Sequence, residues 1–584
     1  MIVAVLMASW LTITANRPID SKDIEMPAQW SPPTEKDTAL VFSFAQHPDR
    51  RIRSEVAWAL GDSGIPRMNP ELARLLANET NDWVRADMVH GMGKLTDELQ
   101  PGAVINVLKD PTDAERSWAL WTLGTWAAKE SVTAVAERLA KDPTETVRIA
   151  AATTLSRLDD PAALSPLAKA LQDQSPRVRE AAARALGSFK DQSDDSLKAL
   201  LGSLKDGDPL VRAAAAGSLG SVRNFPVEGP VAEMASDDFP FVRKQVASSL
   251  RNLGASSRVR TTIGLLNDPD MSVRIEAAGA LGTFQDEEAI LPLIARIDDK
   301  DKFVRRAAAT GLAALKKPDA VVPKLIEQLA NESAPARREA AWALGEYRDK
   351  RATAPLCKGT ADEDREASLN AIEALGKIAD NAAVDTLIGL LRNSLAAKRA
   401  RAALALGEIR DKRATPALVP ILSDPDFEPR VEAATAAGKI NDEPFVRPLI
   451  GVLNNVSTEQ FQTRAAAAWS LGRIGDARAV PRLQQMVSEK VIPTPFGPVY
   501  DHDTVRMNSA VALARIARAL PNAGQLQPIT AFLDGQFTTS LELSDNLKEC
   551  IAECLYVLTG KQHPFTRRPP GARQYFVRSI EGKD

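Results

Sequence analysis

The chain has 584 residues, of which 44% are hydrophobic, 26% charged and 5% aromatic, and its formal net charge is −3. The hydrophobic content is too high for an intrinsically disordered chain, and three cysteines are too few for a disulfide-bonded scaffold. The nearly balanced charge lacks the strongly basic character of nucleic-acid-binding domains, so we expect no nucleic-acid partner.

The chain begins with an apolar segment, residues 1–15, that has no charged side chain. It is shorter than the about 20 apolar residues that cross a bilayer, but its length suits the apolar core of a secretory signal. The basic residues that usually precede such a core are missing, so the alternative is a frayed apolar N-terminus or a wrongly chosen start codon. We expect a bacterial protein exported to the periplasm or exterior if residues 1–15 are a signal, and otherwise a cytoplasmic one. The polar residues 16–35 predict a linker.

One pattern recurs from residue 36 to about residue 520. An aspartate is followed after five residues by an arginine, and then by small residues ending in Leu-Gly, as in 173–187 and 268–282. Fifteen repeats align on that arginine, which we call the anchor, and fourteen of them carry arginine there. The anchors are Arg53, Arg85, Arg116, Arg148, Arg179, Arg212, Arg243, Arg274, Arg305, Arg337, Ser368, Arg399, Arg430, Arg464 and Arg506. A fixed period of this size is typical of a solenoid.

Each repeat contains two predicted helices. In 177–189 the apolar residues fall on one helical face, which predicts the second helix of that repeat. The preceding helix is shorter and often has a first-turn proline, such as Pro166 or Pro292. The predicted fold is therefore an all-α superhelix, a solenoid of about fifteen two-helix repeats with a 31-residue period.

The aspartate six residues before the anchor occurs in nine repeats, and at these residues the chain resembles the HEAT-like repeats first described in phycobilisome lyases. The resemblance implies that this aspartate and the anchor arginine form a hydrogen-bonded ladder between neighbouring repeats. The expected members are Asp142, Arg148, Asp173, Arg179, Asp206, Arg212, Asp268 and Arg274. The resemblance is specific for the fold and says little about function, because this repeat serves many proteins.

Glycine stands eight residues after the anchor in eleven of the fifteen repeats. Inside a helix, glycine costs about 1 kcal/mol relative to alanine. We therefore expect that either close packing or helix termination requires it.

The same resemblance makes an enzyme the alternative, because HEAT-like proteins include bilin lyases and deoxyhypusine hydroxylase. The hydroxylase-like members hold a di-iron site through His-Glu pairs, and none of the four histidines here precedes a glutamate. Cys550 and Cys554, with His563 as a third ligand, make an incomplete zinc site, so buried structural thiols are favoured. We expect no catalytic residue, no metal and no cofactor.

Tryptophan is concentrated five residues after the anchor. Trp58, His90 and Trp121 occupy this position in three consecutive repeats, and Trp342 and Trp469 occupy it in two others. The neighbouring positions are often charged, which favours an exposed face, and exposed aromatic residues among charges are typical of binding hot spots. The alternative is that each indole packs against adjacent helices. We predict a partner-binding face centred on the first three repeats.

The repeat is interrupted near its C-terminal end. The 42 residues from Arg464 to Arg506 include an insertion near 491–503, whose prolines and glycine predict a loop. Phe496 and Tyr500 in this insertion are further candidate partner contacts. Residues 521–584 predict a helical cap and a basic tail. Together, these patterns predict a monomeric, non-catalytic scaffold for a protein partner.

Overall fold

The computed structural model describes residues 42–62, 68–191, 193–222, 226–253, 257–454, 461–488, 491–494, 497–500, 502–520, 523–539 and 544–560. The predicted signal segment 1–15, the linker 16–35 and the tail after residue 560 lie outside this part of the chain. No helix in the part described is long and apolar enough to cross a membrane.

The chain divides into two compact units, Met1–Phe284 and Gln285–Asp584. The helices of the first unit are α1 (Arg50–Asp62), α2 (Met68–Asn78), α3 (Asp82–Lys94), α4 (Pro101–Val107), α5 (Asp113–Thr125), α6 (Val132–Lys141), α7 (Glu145–Leu158), α8 (Leu164–Ala170), α9 (Pro176–Leu186), α10 (Asp194–Ser203), α11 (Pro209–Leu219), α12 (Glu228–Glu233), α13 (Pro240–Asn252), α14 (Ser257–Leu265) and α15 (Met271–Phe284).

The second unit continues the same alternation. Its helices are α16 (Ile290–Arg296), α17 (Lys302–Ala314), α18 (Pro318–Gln328), α19 (Ala334–Tyr347), α20 (Thr353–Gly359), α21 (Arg365–Ile378), α22 (Val384–Leu390), α23 (Ala396–Ile409), α24 (Thr415–Leu418), α25 (Phe427–Ile440), α26 (Val446–Asn454), α27 (Phe461–Ile474), α28 (Val480–Ser488), α29 (Asp503–Ala519), α30 (Ala523–Thr539) and α31 (Asp545–Thr559). Its strands are β1 (Val491–Thr494) and β2 (Gly497–Tyr500).

The odd-numbered helices α1 to α29 are the second helices of the fifteen repeats, since each contains one anchor residue. Short 3-10 turns lead into many first helices, and aspartates start several of these turns. Asp160, for example, accepts a hydrogen bond from the Ala162 N–H at 2.9 Å. The prediction of an all-α solenoid is confirmed, and apart from one β-hairpin the regular structure is helical throughout the described ranges.

The recurring glycine lies where neighbouring second helices touch. A Cβ atom at Gly407 would lie 2.8 Å from the Ala436 Cα, and one at Gly472 would lie 2.6 Å from the Ala512 Cα. Both facing residues are six positions after the anchor of the next repeat. The helix around Gly407 ends only at Arg410, which takes a left-handed φ of 60°. Close packing, rather than helix termination, is therefore the reason for glycine at position 407, whereas α9 and α11 do end at the equivalent Gly187 and Gly220.

Hydroxyl groups at the facing position join the second helices directly. The Thr122 Oγ1 donates to the Val89 carbonyl at 2.9 Å, and the Ser218 Oγ donates to the Ala183 carbonyl at 2.7 Å. Ser470 does the same with the Ala434 carbonyl at 2.6 Å. Each acceptor is a helical carbonyl of the preceding repeat, so these bonds fix the register between adjacent helices.

The anchor arginines connect the turns of successive repeats. Arg148 donates through Nε and Nη2 to both carboxylate oxygens of Asp173, at 2.9 and 3.0 Å, and through Nη1 to the Asp142 carbonyl at 2.9 Å. The same two-pronged pairing is made by Arg116 with Asp142, Arg179 with Asp206, Arg212 with Asp237, Arg243 with Asp268, Arg337 with Asp362 and Arg399 with Asp424. Arg274 donates through Nη1 to the Asp268 carbonyl at 2.9 Å. Such charge-assisted pairs are among the stronger hydrogen bonds of proteins.

One repeat replaces this chemistry. Ser368 holds the anchor position, and its Oγ donates to the Thr360 carbonyl at 2.7 Å. The Lys398 Nζ donates to the same carbonyl at 3.1 Å. A hydroxyl and an ammonium group from two repeats thus supply donors to this turn.

Two aspartates that pair with arginines make the second unit sensitive to acid. Arg337 lowers the pKa of Asp362, and Arg338 lowers the pKa of Asp364 to about 2. In the folded protein the pKa of both carboxyl groups lies below the unfolded value of about 3.9. The two ion pairs therefore stabilise the folded state fully above that pH, and this stabilisation is lost as the pH falls through the folded-state pKa. We expect α19 and α21 to lose hydrogen-exchange protection between about pH 4 and pH 2. The variant Asp364→Asn should lose less stability over this range, and an unchanged pH dependence would contradict the assignment.

Candidate binding face

Within each unit, the exposed side of the second helices forms what we call the second-helix face. It comprises the side chains one, two, five and nine positions after each anchor, on α1, α3, α5 and the later odd-numbered helices. Among the residues five positions after the anchor, Trp58 is exposed, Trp121, Trp342 and Trp469 are half-buried, and His90 is buried. The predicted column therefore lies on one face, but its members differ in accessibility.

The first three repeats bring their aromatic rings together. His90 on α3 lies 4.5 Å from the Trp58 ring centroid, 4.1 Å from that of Trp118 and 5.1 Å from that of Trp121. The rings of Trp118 and Trp121 meet edge to face at 5.7 Å. We call these four residues the aromatic cluster. Tilted contacts of this kind add about 0.5–1.5 kcal/mol each beyond the area they bury.

Small residues make room for the cluster. A Cβ atom at Gly93 would lie 2.5 Å from the Trp121 Cζ3, and Gly91 lies against the Ala57 carbonyl and Gly61. Gly61 and Gly91 therefore allow α1 and α3 to approach each other, and Gly93 makes room for the indole of Trp121.

His90 is the polar centre of the aromatic cluster. It is 8% exposed, and its Nδ1 has no hydrogen-bond partner among the described residues. Burial lowers the pKa of His90, Lys94 lowers it further, and Asp87 and Asp62 partly offset this effect. The imidazole is therefore neutral at pH 7 and has an unmet hydrogen-bonding capacity.

Charged residues border the exposed indole of Trp58. The Lys94 Nζ lies 4.3 Å above the Trp58 ring centroid and pairs with Asp62, which gives a cation–π contact held in place by a carboxylate. The Ser54 hydroxyl donates to Asp87. Neighbouring protein atoms desolvate the Glu55 carboxyl group in part and raise its pKa, and Asp87 raises it further.

Two other tryptophans of the column also lie beneath cations. The Arg306 guanidinium carbon is 4.4 Å from the Trp342 centroid, and that of Arg473 is 5.2 Å from the Trp469 centroid. Arg306 also pairs with Glu339 at 3.0 Å. These indoles are isolated from one another along the second unit, so the structure brings together only the predicted residues of the first three repeats.

A groove that the sequence pattern did not indicate lies further along the face of the first unit. It encloses about 460 Å³ between α7 and α9, and its lining includes Ile149, Thr153, Arg177 and Arg184. Arg184 is 68% exposed and pairs with Glu180 on its own helix at 2.8 Å. No aromatic residue marks this groove. Its lining comes from two helices of successive repeats, so the sequence of one repeat alone gives no signal for it.

The insertion at 491–503 differs from the predicted loop. Val491–Thr494 and Gly497–Tyr500 pair as antiparallel strands, with Val491 opposite Tyr500 and Pro493 opposite Pro498. The prolines did not prevent pairing because a two-stranded ribbon has free edges that need no N–H donor. Tyr500 lies at the end of β2, and Phe496 lies outside the described residues.

The cysteine pair lies in the core of the last helices. Cys550 and Cys554 are buried on α31, and the Cys550 Sγ donates to the Met507 carbonyl at 3.6 Å. The hydrogen bond with Cys550 and burial raise the pKa of the Cys554 thiol, which keeps it protonated. His563 lies outside the described residues, within which no group of three or more metal-binding side chains occurs.

Comparison with known families and structures identifies the repeat. A family model described as HEAT repeats matches residues 29–93, 102–175, 165–251, 259–323, 322–397 and 389–459, and a model of the PBS lyase HEAT-like repeat matches residues 463–489. No curated protein matches the chain in sequence.

Solved structures share the fold at low sequence identity. The Kap95:Nup1 complex has a TM-score of 0.58 at 14% identity, with 93% of this chain and 87% of that chain covered. A structure of Kap95p bound to RanGDP has a TM-score of 0.55 at 13% identity, with 94% and 87% covered. Kap121p bound to Nup53p has a TM-score of 0.52 at 14% identity, with 89% and 68% covered.

Proposed function

The chain belongs to the HEAT-repeat family, and from that premise we propose that it is a non-catalytic scaffold that binds a protein partner through its second-helix face. The observation that carries the proposal is the aromatic cluster. It combines an exposed Trp58 with two half-buried indoles on three adjacent helices, bordered by charges. Large aromatic side chains in this setting dominate the binding energy of many protein interfaces.

The repeat architecture supports the same function. Stacked repeats present a long surface without needing one deep core, and this surface suits a partner that makes contacts over several repeats. The similar structures named above contain Nup1, RanGDP and Nup53p as partners of their solenoids. For this chain we propose a protein partner as well, in place of a nucleic acid or a small substrate.

The test is affinity capture from the native source with mass spectrometry of the bound proteins. We expect one partner to bind the full chain and to be lost from a Trp58→Ala/Trp121→Ala double variant, because two of the three indoles of the aromatic cluster are removed. The matched control is Trp83→Ala, which removes an indole that is 75% exposed on α3 and outside the cluster. Circular dichroism would verify that all three proteins are folded.

Two results would contradict the proposal. Equal capture by the wild type and the double variant would show that the aromatic cluster is not the binding site. A purified protein with visible absorption from a bound tetrapyrrole, or with stoichiometric iron, would instead favour the lyase-like or oxidoreductase alternative.

A further inference from the structure

The second-helix face of the first unit has an acidic end. Glu55 on α1 is exposed and Asp87 on α3 is half-buried, and neither makes an ion pair with any described residue. Lys94 pairs with Asp62 and lies over the Trp58 ring. Because Asp87 disfavours the charged form of Glu55, the two carboxylates repel each other without a compensating cation. A basic side chain of a partner would relieve this repulsion.

The aromatic cluster shares α1 and α3 with the acidic end and extends beyond it to α5. Trp118 and Trp121 on α5 offer half-buried apolar surface, and the exposed ring of Trp58 covers His90. Buried polar atoms without a partner are uncommon in native proteins. The cluster therefore has both an apolar surface and a ring nitrogen, the His90 Nδ1, without a hydrogen-bond partner among the described residues.

The face then becomes basic. Arg184 belongs to the face, and Arg177, two residues before the anchor of α9, lines the same groove beside it; both are exposed, and Arg177 makes no ion pair within the described residues. Glu180 offsets part of the charge of Arg184. Thr125 on α5 is exposed and neutral, and the exposed Arg157 on α7 begins the basic part of the face. The order along the face is therefore acidic, aromatic and basic.

From this order, and on the basis of the proposed function, we propose that α1, α3, α5, α7 and α9 bind an extended peptide segment with basic residues at one end, apolar or aromatic residues in the middle and acidic residues at the other end. Four helix-to-helix steps of 8–10 Å give a length of about 36 Å. At about 3.3 Å per residue, an extended segment of about eleven residues spans this distance. The two charged ends fix the direction in which the segment lies.

The test uses the full chain and a displayed library of random 16-residue peptides. We expect the enriched peptides to carry basic and acidic residues at opposite ends, separated by apolar or aromatic residues. An enriched peptide should bind about tenfold more weakly to Glu55→Gln/Asp87→Asn and to Arg177→Gln/Arg184→Gln, because each double variant removes the charges at one end.

Matched controls carry the same charge changes on the first helices. Glu71→Gln/Glu137→Gln and Arg74→Gln/Lys141→Gln alter exposed residues of α2 and α6 and should change the affinity less than twofold. Enriched peptides without this charge order, or equal losses in the controls, would overturn the inference. If capture of the native partner still depends on Trp58 and Trp121 in that case, the scaffold function stands and only the peptide assignment fails. If no peptide is enriched and no partner is captured, both fail.

Discussion

We expect the substitution Asp142→Ala to lower the stability of the first unit by about 3–5 kcal/mol, because it leaves a buried guanidinium without its carboxylate. Arg116 and Asp142 have side chains that are 6% and 0% exposed, and the pair is joined by two hydrogen bonds of 2.8 and 3.0 Å. Removing one partner of such a pair costs more than the pair contributes, since the remaining charge stays desolvated.

Hydrogen exchange of α5 to α7 is the measurement, because stability in a repeat protein is local and a single unfolding midpoint averages over many repeats. The matched control is Arg74→Ala, which removes an ion pair whose side chains are 60% and 44% exposed. Such a pair contributes about 0–1 kcal/mol. The ladder would have no role in stability if Asp142→Ala and Arg74→Ala had the same small effect.

The second large effect concerns the glycine contacts between second helices. A Cβ atom at Gly220 would lie 2.6 Å from the Ser249 Cβ and 2.7 Å from its Cα, so Gly220→Ala must push α11 and α13 apart. We expect it to destabilise the first unit by about 1–3 kcal/mol. Gly220 has an ordinary helical φ of −61°, so backbone strain plays no part in this expectation.

A second glycine provides a control of opposite sign. Gly202 lies in α10, and a Cβ atom there would meet nothing within 4 Å. Gly202→Ala should therefore stabilise the protein by about 0.5–1 kcal/mol through the lower backbone entropy of the unfolded chain. Denaturant unfolding of both variants beside the wild type measures the difference. Destabilisation by both substitutions would mean that packing against Ser249 is not the cause.

The sequence was sufficient to predict the periodic part of the structure. The spacing of the anchors predicted the position of each second helix, because this property repeats along the chain. The family resemblance implied a ladder, and the opposite charges of Arg148 and Asp173 agree with it. Which oxygen each nitrogen reaches could not be predicted. Arg148 also holds the Asp142 carbonyl, and Arg85 pairs with Glu115 as well as Asp110.

The candidate site was predictable only in part. The position of Trp58, His90 and Trp121 in one column followed from the period. The contact of His90 with Trp118 did not, because it depends on side-chain conformations on two helices. The hairpin at 491–500 was missed because proline normally argues against strands, although edge strands tolerate it.

The way in which each anchor is bonded bears on how such a chain can grow. Arg337 needs one carbonyl from its own turn and one carboxylate from the next, and Arg399 needs the same. A block of repeats that begins and ends in this way can be copied within a gene and joined to its parent without any new contact. The stretches 345–356 and 407–418, which are nearly identical and lie two repeats apart, are what one such copying event leaves behind.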